Sequence, residues 1–168
     1  MNSLTRADLI HFMKKSNKRN LILWGSLSLL MLIVIYGQSM MPPKESGALS
    51  GFAVTYLKPV LDPFGVFEAE AFHHFIRKAG HFSEYACFSL FFGNFCRSIG
   101  NLPGNNWQLL SLFVCLAVAV SDEFLQSFTG RGSSVRDVIV DFCGVLFGFG
   151  LIWLSNRFFR KKEKSYEA

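Results

Sequence analysis

The sequence predicts an all-α integral membrane protein, a single domain over residues 1–168 built as a bundle of four transmembrane helices. Three observations carry this. Just over half of the residues are apolar (51%) and 19 are Phe, and the mean hydropathy is +0.30, too apolar for a soluble domain of this size. Apolar runs recur at lengths near those a helix needs to cross about 30 Å of hydrocarbon. The formal charge of +5 is concentrated beside those runs: Arg6, Lys14, Lys15, Lys18 and Arg19 at one end, Arg157, Arg160, Lys161, Lys162 and Lys164 at the other. Basic clusters flanking apolar segments are topology signals, so no nucleic-acid partner is assigned.

Taken in order, the first span is Leu21 to Gly37, LILWGSLSLLMLIVIYG. It is longer than a typical signal-peptide core and no small-x-small cleavage site follows, so it is expected to remain as an anchor. Residues 38–73 form the first outer loop. Its later part, VTYLKPVLDPFGVFEAEAFHHF, is apolar but interrupted by Pro59 and Pro63, and is expected to lie in the membrane interface together with His73 and His74. The second span, Ala79 to Cys96, is weaker because His81 and Glu84 sit inside it. The third is Trp107 to Phe128 and the fourth Val138 to Leu154. With residues 1–20 and 155–168 as basic cytoplasmic tails, 11 Lys and Arg lie inside, Arg97 among them, against Lys44, Lys58, Arg77, Lys78, Arg131 and Arg136 outside; this bias sets both termini in the cytoplasm. The four cysteines fall in apolar segments without a CxxC pair and read as reduced core residues.

This topology gathers the remaining polar residues at one level, facing outward: Gln38 and Ser39 from the first span, Arg77, Lys78, His81 and Glu84 from the second, Asp122, Glu123 and Gln126 from the third, Arg136, Asp137 and Asp141 from the fourth. Arg77, His81 and Glu84 (i, i+4, i+7) are expected to share a helix face, as are Asp122 and Gln126. Asp137, Asp141, Gly144 and Gly148 form one stripe whose GxxxG permits close helix approach. Charge inside a membrane costs roughly 2.5–3.5 kcal/mol per residue at a span's centre, so these groups must be paired, wetted or used.

Each feature also has a plain reading. Asp137 follows Ser134 by three residues and fits a capping box at the start of the fourth helix. Arg131 lies in a Gly- and Ser-rich turn before a helix N-terminus, a place that suits an anion and suits an ordinary turn equally. Arg77 and Lys78 could simply snorkel to headgroups. His81 and Glu84 have HxxE spacing, and Asp122 or Asp141 could complete a metal site, but the spacing alone is weak, and neither metal nor cofactor is assigned. His81, Glu84, Asp122, Glu123 and Asp141 are candidates for acid–base chemistry, since buried carboxylates are readily tuned. Arg77, Lys78, Gln126, Arg131, Ser134, Arg136 and Asp137 are candidates for binding. GxSxG, HExxH and phosphate-loop motifs are absent.

RKAGHFSEY (Arg77–Tyr85) and SDEFLQSFTGRGSSVRDVIVDFCGVLFG (Ser121–Gly148), with YGQSMMPPKESGALS after the first span, resemble the signature blocks of VanZ-like proteins. By position the motif falls on Arg77, Lys78, His81, Glu84, Tyr85, Asp122, Glu123, Gln126, Arg131, Ser134, Arg136, Asp137 and Asp141; Gly80 departs from the commoner Ala and is expected to serve close packing. The resemblance implies a multi-spanning bacterial cytoplasmic-membrane protein of the cell envelope, in a family whose founding member is associated with teicoplanin resistance. Read with the outward polar cluster, it points to membrane lipids and an anionic or lipid-linked envelope component as partners, bound or modified there. A small transporter component, or an assembly protein whose charges only hold the bundle together, are the alternatives. The inner halves of the spans are nearly free of ionisable groups, which argues against a continuous transport path.

Overall fold

A computed structural model describes residues 6–99, 107–130 and 132–166, with side chains described between residues 18 and 158 of these. It contains five helices: α1 (Arg6–Ser39), α2 (Pro43–Leu61), α3 (Ala69–Ile99), α4 (Trp107–Phe128) and α5 (Val135–Tyr166). The all-α expectation holds, and α4 has the bounds read from the sequence. The two basic tails do not hang free of the bundle helices. Each continues its helix, because Lys and Arg are good helix formers and nothing in those stretches breaks the backbone ladder.

Among the described residues, three helical segments are long and apolar enough to cross a membrane: Lys18–Ser39, Trp107–Phe128 and Val135–Phe158. α3 is 31 residues long, but its polar first half keeps it out of that group. The exposed side chains fit a lipid surround. Ile33, Phe113, Phe124 and Trp153 are each more than half exposed, and at about 25 cal/mol per Å² of apolar surface such a girdle is costly against water.

Residues 38–73, which the sequence reads as an outer loop with an interfacial later part, are α2 followed by a short turn and the start of α3. Pro43 opens α2, where its missing N–H is one of the helix's unsatisfied donors anyway. Pro59 sits in the last turn and does not interrupt the helix. The turn after it is held by Asp62, whose carboxylate accepts the N–H groups of Val66 (2.7 Å) and Phe67 (3.1 Å), while Gly65 takes φ +65°, a backbone conformation that glycine adopts freely. No residue of α2 is buried; Leu49, Phe52, Tyr56 and Val60 present an exposed apolar stripe.

α3 is the central helix, packed most extensively on α5 and next on α1. Gly144 and Gly148 make the α3–α5 approach possible. A Cβ on Gly144 would run into the Phe82 carbonyl, and one on Gly148 into the Ala86 carbonyl and the Ser89 hydroxyl. The core of the bundle is Ile35, Tyr85, Phe88, Cys115, Val118, Ala119 and Val145. Two sequence expectations need correction here. Cys96 and Cys115 are buried, but Cys87 and Cys143 are exposed on the outer surface of the helices, all four thiols being free. A Cβ at Gly80 would meet nothing within 4 Å among the described residues, so close packing does not explain that glycine.

Candidate functional site

The polar residues of four helices do meet at one end of the bundle. The last turn of α1 delivers Gln38 and Ser39, the first half of α3 delivers Lys78, His81 and Glu84, the last two turns of α4 deliver Asp122, Glu123 and Gln126, and the start of α5 delivers Asp137 and Asp141. Asp122, Glu123, Gln126 and Asp141 are all buried, at 1%, 5%, 3% and 0% exposure. Such burial is costly unless the groups find partners.

Asp122 is held from two helices. The Ser39 hydroxyl donates to its Oδ1, and Gln126 Nε2, one helical turn on, donates to its Oδ2 at 3.2 Å. The Thr129 hydroxyl donates to the Ser39 carbonyl at 3.2 Å, and Tyr36 and Ser121 share a hydroxyl hydrogen bond of 2.7 Å. Together these bonds tie α1 to α4. Ser39 is the residue whose weight the sequence least announces; its one signal is a hydroxyl in the final turn of an apolar helix, on the side of buried Ile35.

The residues of α3 divide differently from the expected face. Glu84 turns to α1, where it accepts Gln38 Nε2 at 2.7 Å. His81 turns to α5, with Nδ1 at 3.7 Å from Asp141 Oδ1. Arg77 is exposed and lines the cavities described below. Arg77, His81 and Glu84 therefore do not act as one face. Lys78, His81 and Tyr85 (i, i+3, i+7) form the inward stripe instead, with Tyr85 fully buried beside Asp122 and Asp141.

The α4–α5 turn corrects the capping-box expectation. The Ser134 hydroxyl accepts the Arg136 N–H at 3.2 Å, an ordinary N-cap bond. The reach-back to the Ser134 N–H comes from Glu123 Oε2 at 3.0 Å, not from Asp137. Asp137 is thereby released to pair with Lys78 across the α3–α5 seam. Burial, aided by Arg77, lowers the Lys78 pKa from its ordinary value, against the pull of Glu123 and Asp141. Arg136 is exposed and lines neither of the cavities at this end. Arg131 lies outside the described residues.

A cavity of about 180 Å³ opens over this cluster. Arg77, His73, His81 and Asp137 line it from α3 and α5, Gln126 from α4, Gly130 from the α4–α5 turn, and Ser46 and Ser50 from α2. Ser50 Oγ lies 3.1 Å from His73 Nε2, so α2 closes the cavity with polar contacts and not with its apolar stripe. A second cavity of about 370 Å³ lies between α2 and α3 and shares Arg77 and His81 as well as reaching Glu84. At the opposite end of the bundle, among the described residues, Arg97 donates to Asn156 Oδ1 at 2.6 Å and Arg157 stacks over Trp153.

No curated protein and no solved structure gives a significant match to the chain. The family model for VanZ/LLP1 matches residues 24–156, which takes in α2, α4, the turn that joins α4 to α5, and every buried polar residue described above. Matched over most of its length, and with the motif residues converging at one end of the bundle, the chain belongs to the VanZ/LLP1 family.

Proposed function

We propose that the chain is a four-span protein of the bacterial cytoplasmic membrane, with both termini inside, that binds the anionic headgroup of an envelope lipid or of a lipid-linked cell-wall intermediate in its outward cavity. The observation that carries this is the cavity lined by Arg77, His73, His81 and Gln126. Arg77 is exposed and shares that lining with the Gln126 amide and the Ser46 and Ser50 hydroxyls, while Asp137 on the same lining is paired with Lys78; a guanidinium among such donors is a recognisable way to hold phosphate. The exposed apolar stripe of α2 supports its lying in the interface as an amphipathic cover, so that a headgroup would enter from the lipid side. Arg77 does the anion work in this reading. Arg131 and Arg136 flank the same turn in sequence and are second in line. Any effect on teicoplanin susceptibility would follow from sequestering or altering that envelope component.

One observation favours the assembly alternative: the Ser39–Asp122–Gln126 and Gln38–Glu84 bonds already use much of the cluster internally. A substitution series separates the two. Arg77→Ala, at an exposed position, should leave abundance and thermal stability unchanged while removing retention of anionic lipid by the purified protein, and with it any change in glycopeptide susceptibility or lipid profile that the wild-type gene confers. If Arg77→Ala retains lipid like the wild type, while Asp122→Asn and Glu84→Gln lose abundance in step with phenotype, the cluster is structural and the binding reading fails.

A further inference from the structure

Of the buried carboxylates in this cluster, Asp141 is the one whose environment does not account for it. Asp122 receives Ser39 and Gln126, Glu123 receives the Ser134 N–H, and Glu84 receives Gln38. Asp141 is 0% exposed, and among the described residues neither of its oxygens has a hydrogen-bond donor. A carboxylate shut away from water without donors is among the costliest arrangements a protein can hold. What Asp141 faces is His81 on α3, and beside it Asp122 on α4. One ligand-type atom from each of these three side chains lies within 4.8 Å of the other two. Three rigid helices thus aim an imidazole and two carboxylates at one point, and packing holds that point in place: Gly144, three residues along α5 from Asp141, sets the α3–α5 distance.

We propose that His81, Asp122 and Asp141 bind one divalent transition-metal ion, of the Zn²⁺ or Mn²⁺ class. Donors bound to one such ion at about 2.1 Å lie at most about 4.2 Å apart, so the three need to draw in by roughly half an ångström, within reach of carboxylate rotation. The imidazole selects against Mg²⁺ and Ca²⁺, which prefer all-oxygen shells. The ion's charge would offset the two clustered carboxylates, and it supplies the Asp141 carboxylate with a partner that it lacks. Three protein ligands leave a coordination position open. His81 also lines the outer cavity, which gives the ion a way in and lets it face whatever occupies that cavity. The site stands whether or not a headgroup enters. A neutral Asp141 is the rival arrangement and calls for no metal.

The test uses the full chain in nanodiscs, stripped with chelator, re-equilibrated separately with Zn²⁺ and Mn²⁺, dialysed, and assayed for bound metal by mass spectrometry. One ion per chain is expected in the wild type, with Asp141→Asn and His81→Gln each weakening retention by at least about 10-fold, the scale on which even supporting groups of metal sites act. Glu70→Gln is the control for adventitious surface uptake, because Glu70 and His74 are exposed acid and imidazole four residues apart on α3; it should retain the ion. Should the Asp141 or His81 variants not fold, nitrogen hyperfine coupling in the electron-spin spectrum of Mn²⁺ bound to the wild-type chain reports the imidazole ligand directly. No ion above background in the wild type, equal retention by Asp141→Asn, loss in Glu70→Gln alone, or a Mn²⁺ spectrum without nitrogen coupling would each overturn the proposal.

Discussion

The Ser39 hydroxyl lies within hydrogen-bond reach of two acceptors, the Ile35 carbonyl at 3.0 Å and Asp122 Oδ1. It has one proton, and the charged acceptor gains more from it. Gln126 Nε2 donates to the Ser39 hydroxyl oxygen at 3.5 Å, so one small side chain links α1 to two residues of α4. Ser39→Ala is therefore expected to lower stability by about 1.5–3 kcal/mol, the range for a lost hydrogen bond to a charged group. The thermal unfolding midpoint of the purified protein in detergent reads this. The comparison is Ser26→Ala, on the exposed face of the same helix, where a change within about 0.5 kcal/mol is expected. Equal effects from both would mean that Ser39 does no more than fill space. The polar residues themselves were legible in the sequence, because charges in apolar runs stand out. Their partners were not. Arg77, His81 and Glu84 fall within one helix stripe, but which edge of that stripe faces α1, which faces α5 and which faces the cavity depends on the rotation of α3, and rotation is decided by packing.

Helix rotation and spacing are set largely where α3 meets α5. The GxxxG stripe of Gly144 and Gly148 was readable, since small residues four apart announce a close neighbour, and the structure supplies that neighbour in α3. Gly144→Ala and Gly148→Ala each place a methyl group against a backbone carbonyl, an obstacle that cannot rotate away. Overpacking of this kind costs typically about 1–3 kcal/mol, and both substitutions should lower the unfolding midpoint. Gly150→Ala meets nothing within 4 Å and should be neutral or stabilising by up to about 1 kcal/mol through helix propensity. If Gly150→Ala proves more harmful than Gly144→Ala, the α3–α5 seam is not where the structure places it. Pro59 and Pro63 both read as interruptions in the sequence, yet a proline in the last turn of a helix is compatible with it when the chain is about to leave anyway. The real stop is Asp62-Pro63-Phe64-Gly65, where an aspartate clamps the next amides and glycine takes the left-handed conformation.

At the level of the whole molecule, a crossing by α3 decides on which side each terminus lies. Three helical segments qualify by length and apolarity; three crossings would leave the termini on opposite sides, four would leave them together. Several observations favour four. α3 is the most heavily packed helix, wedged against α1, α4 and α5, and its 31 residues rise about 46 Å at 1.5 Å each, more than a hydrocarbon core needs. Within its polar first half Glu84 is partnered from α1, and Lys78 and His81 from α5, while Glu70 and Arg77 stay exposed nearer its start; pairing of this kind limits the charge that a weakly apolar helix presents to lipid. Phe64, 90% exposed, marks the α2–α3 turn as a site for an inserted protease recognition sequence. The four-span arrangement predicts cutting there by protease added to intact spheroplasts, together with fluorescence of green fluorescent protein fused at either terminus, since that reporter folds in the cytoplasm. Three crossings predict that the two terminal fusions disagree. Fluorescent fusions at both ends with a turn protected in spheroplasts and cut only in inverted vesicles would leave α1 without a crossing, which 22 residues from Lys18 to Ser39 at a mean hydropathy of 1.9 make energetically unreasonable; that outcome would therefore count against the bundle geometry itself, and cutting from outside with both fusions fluorescent would fix α3 as the fourth span and the Arg77 cavity as outward-facing.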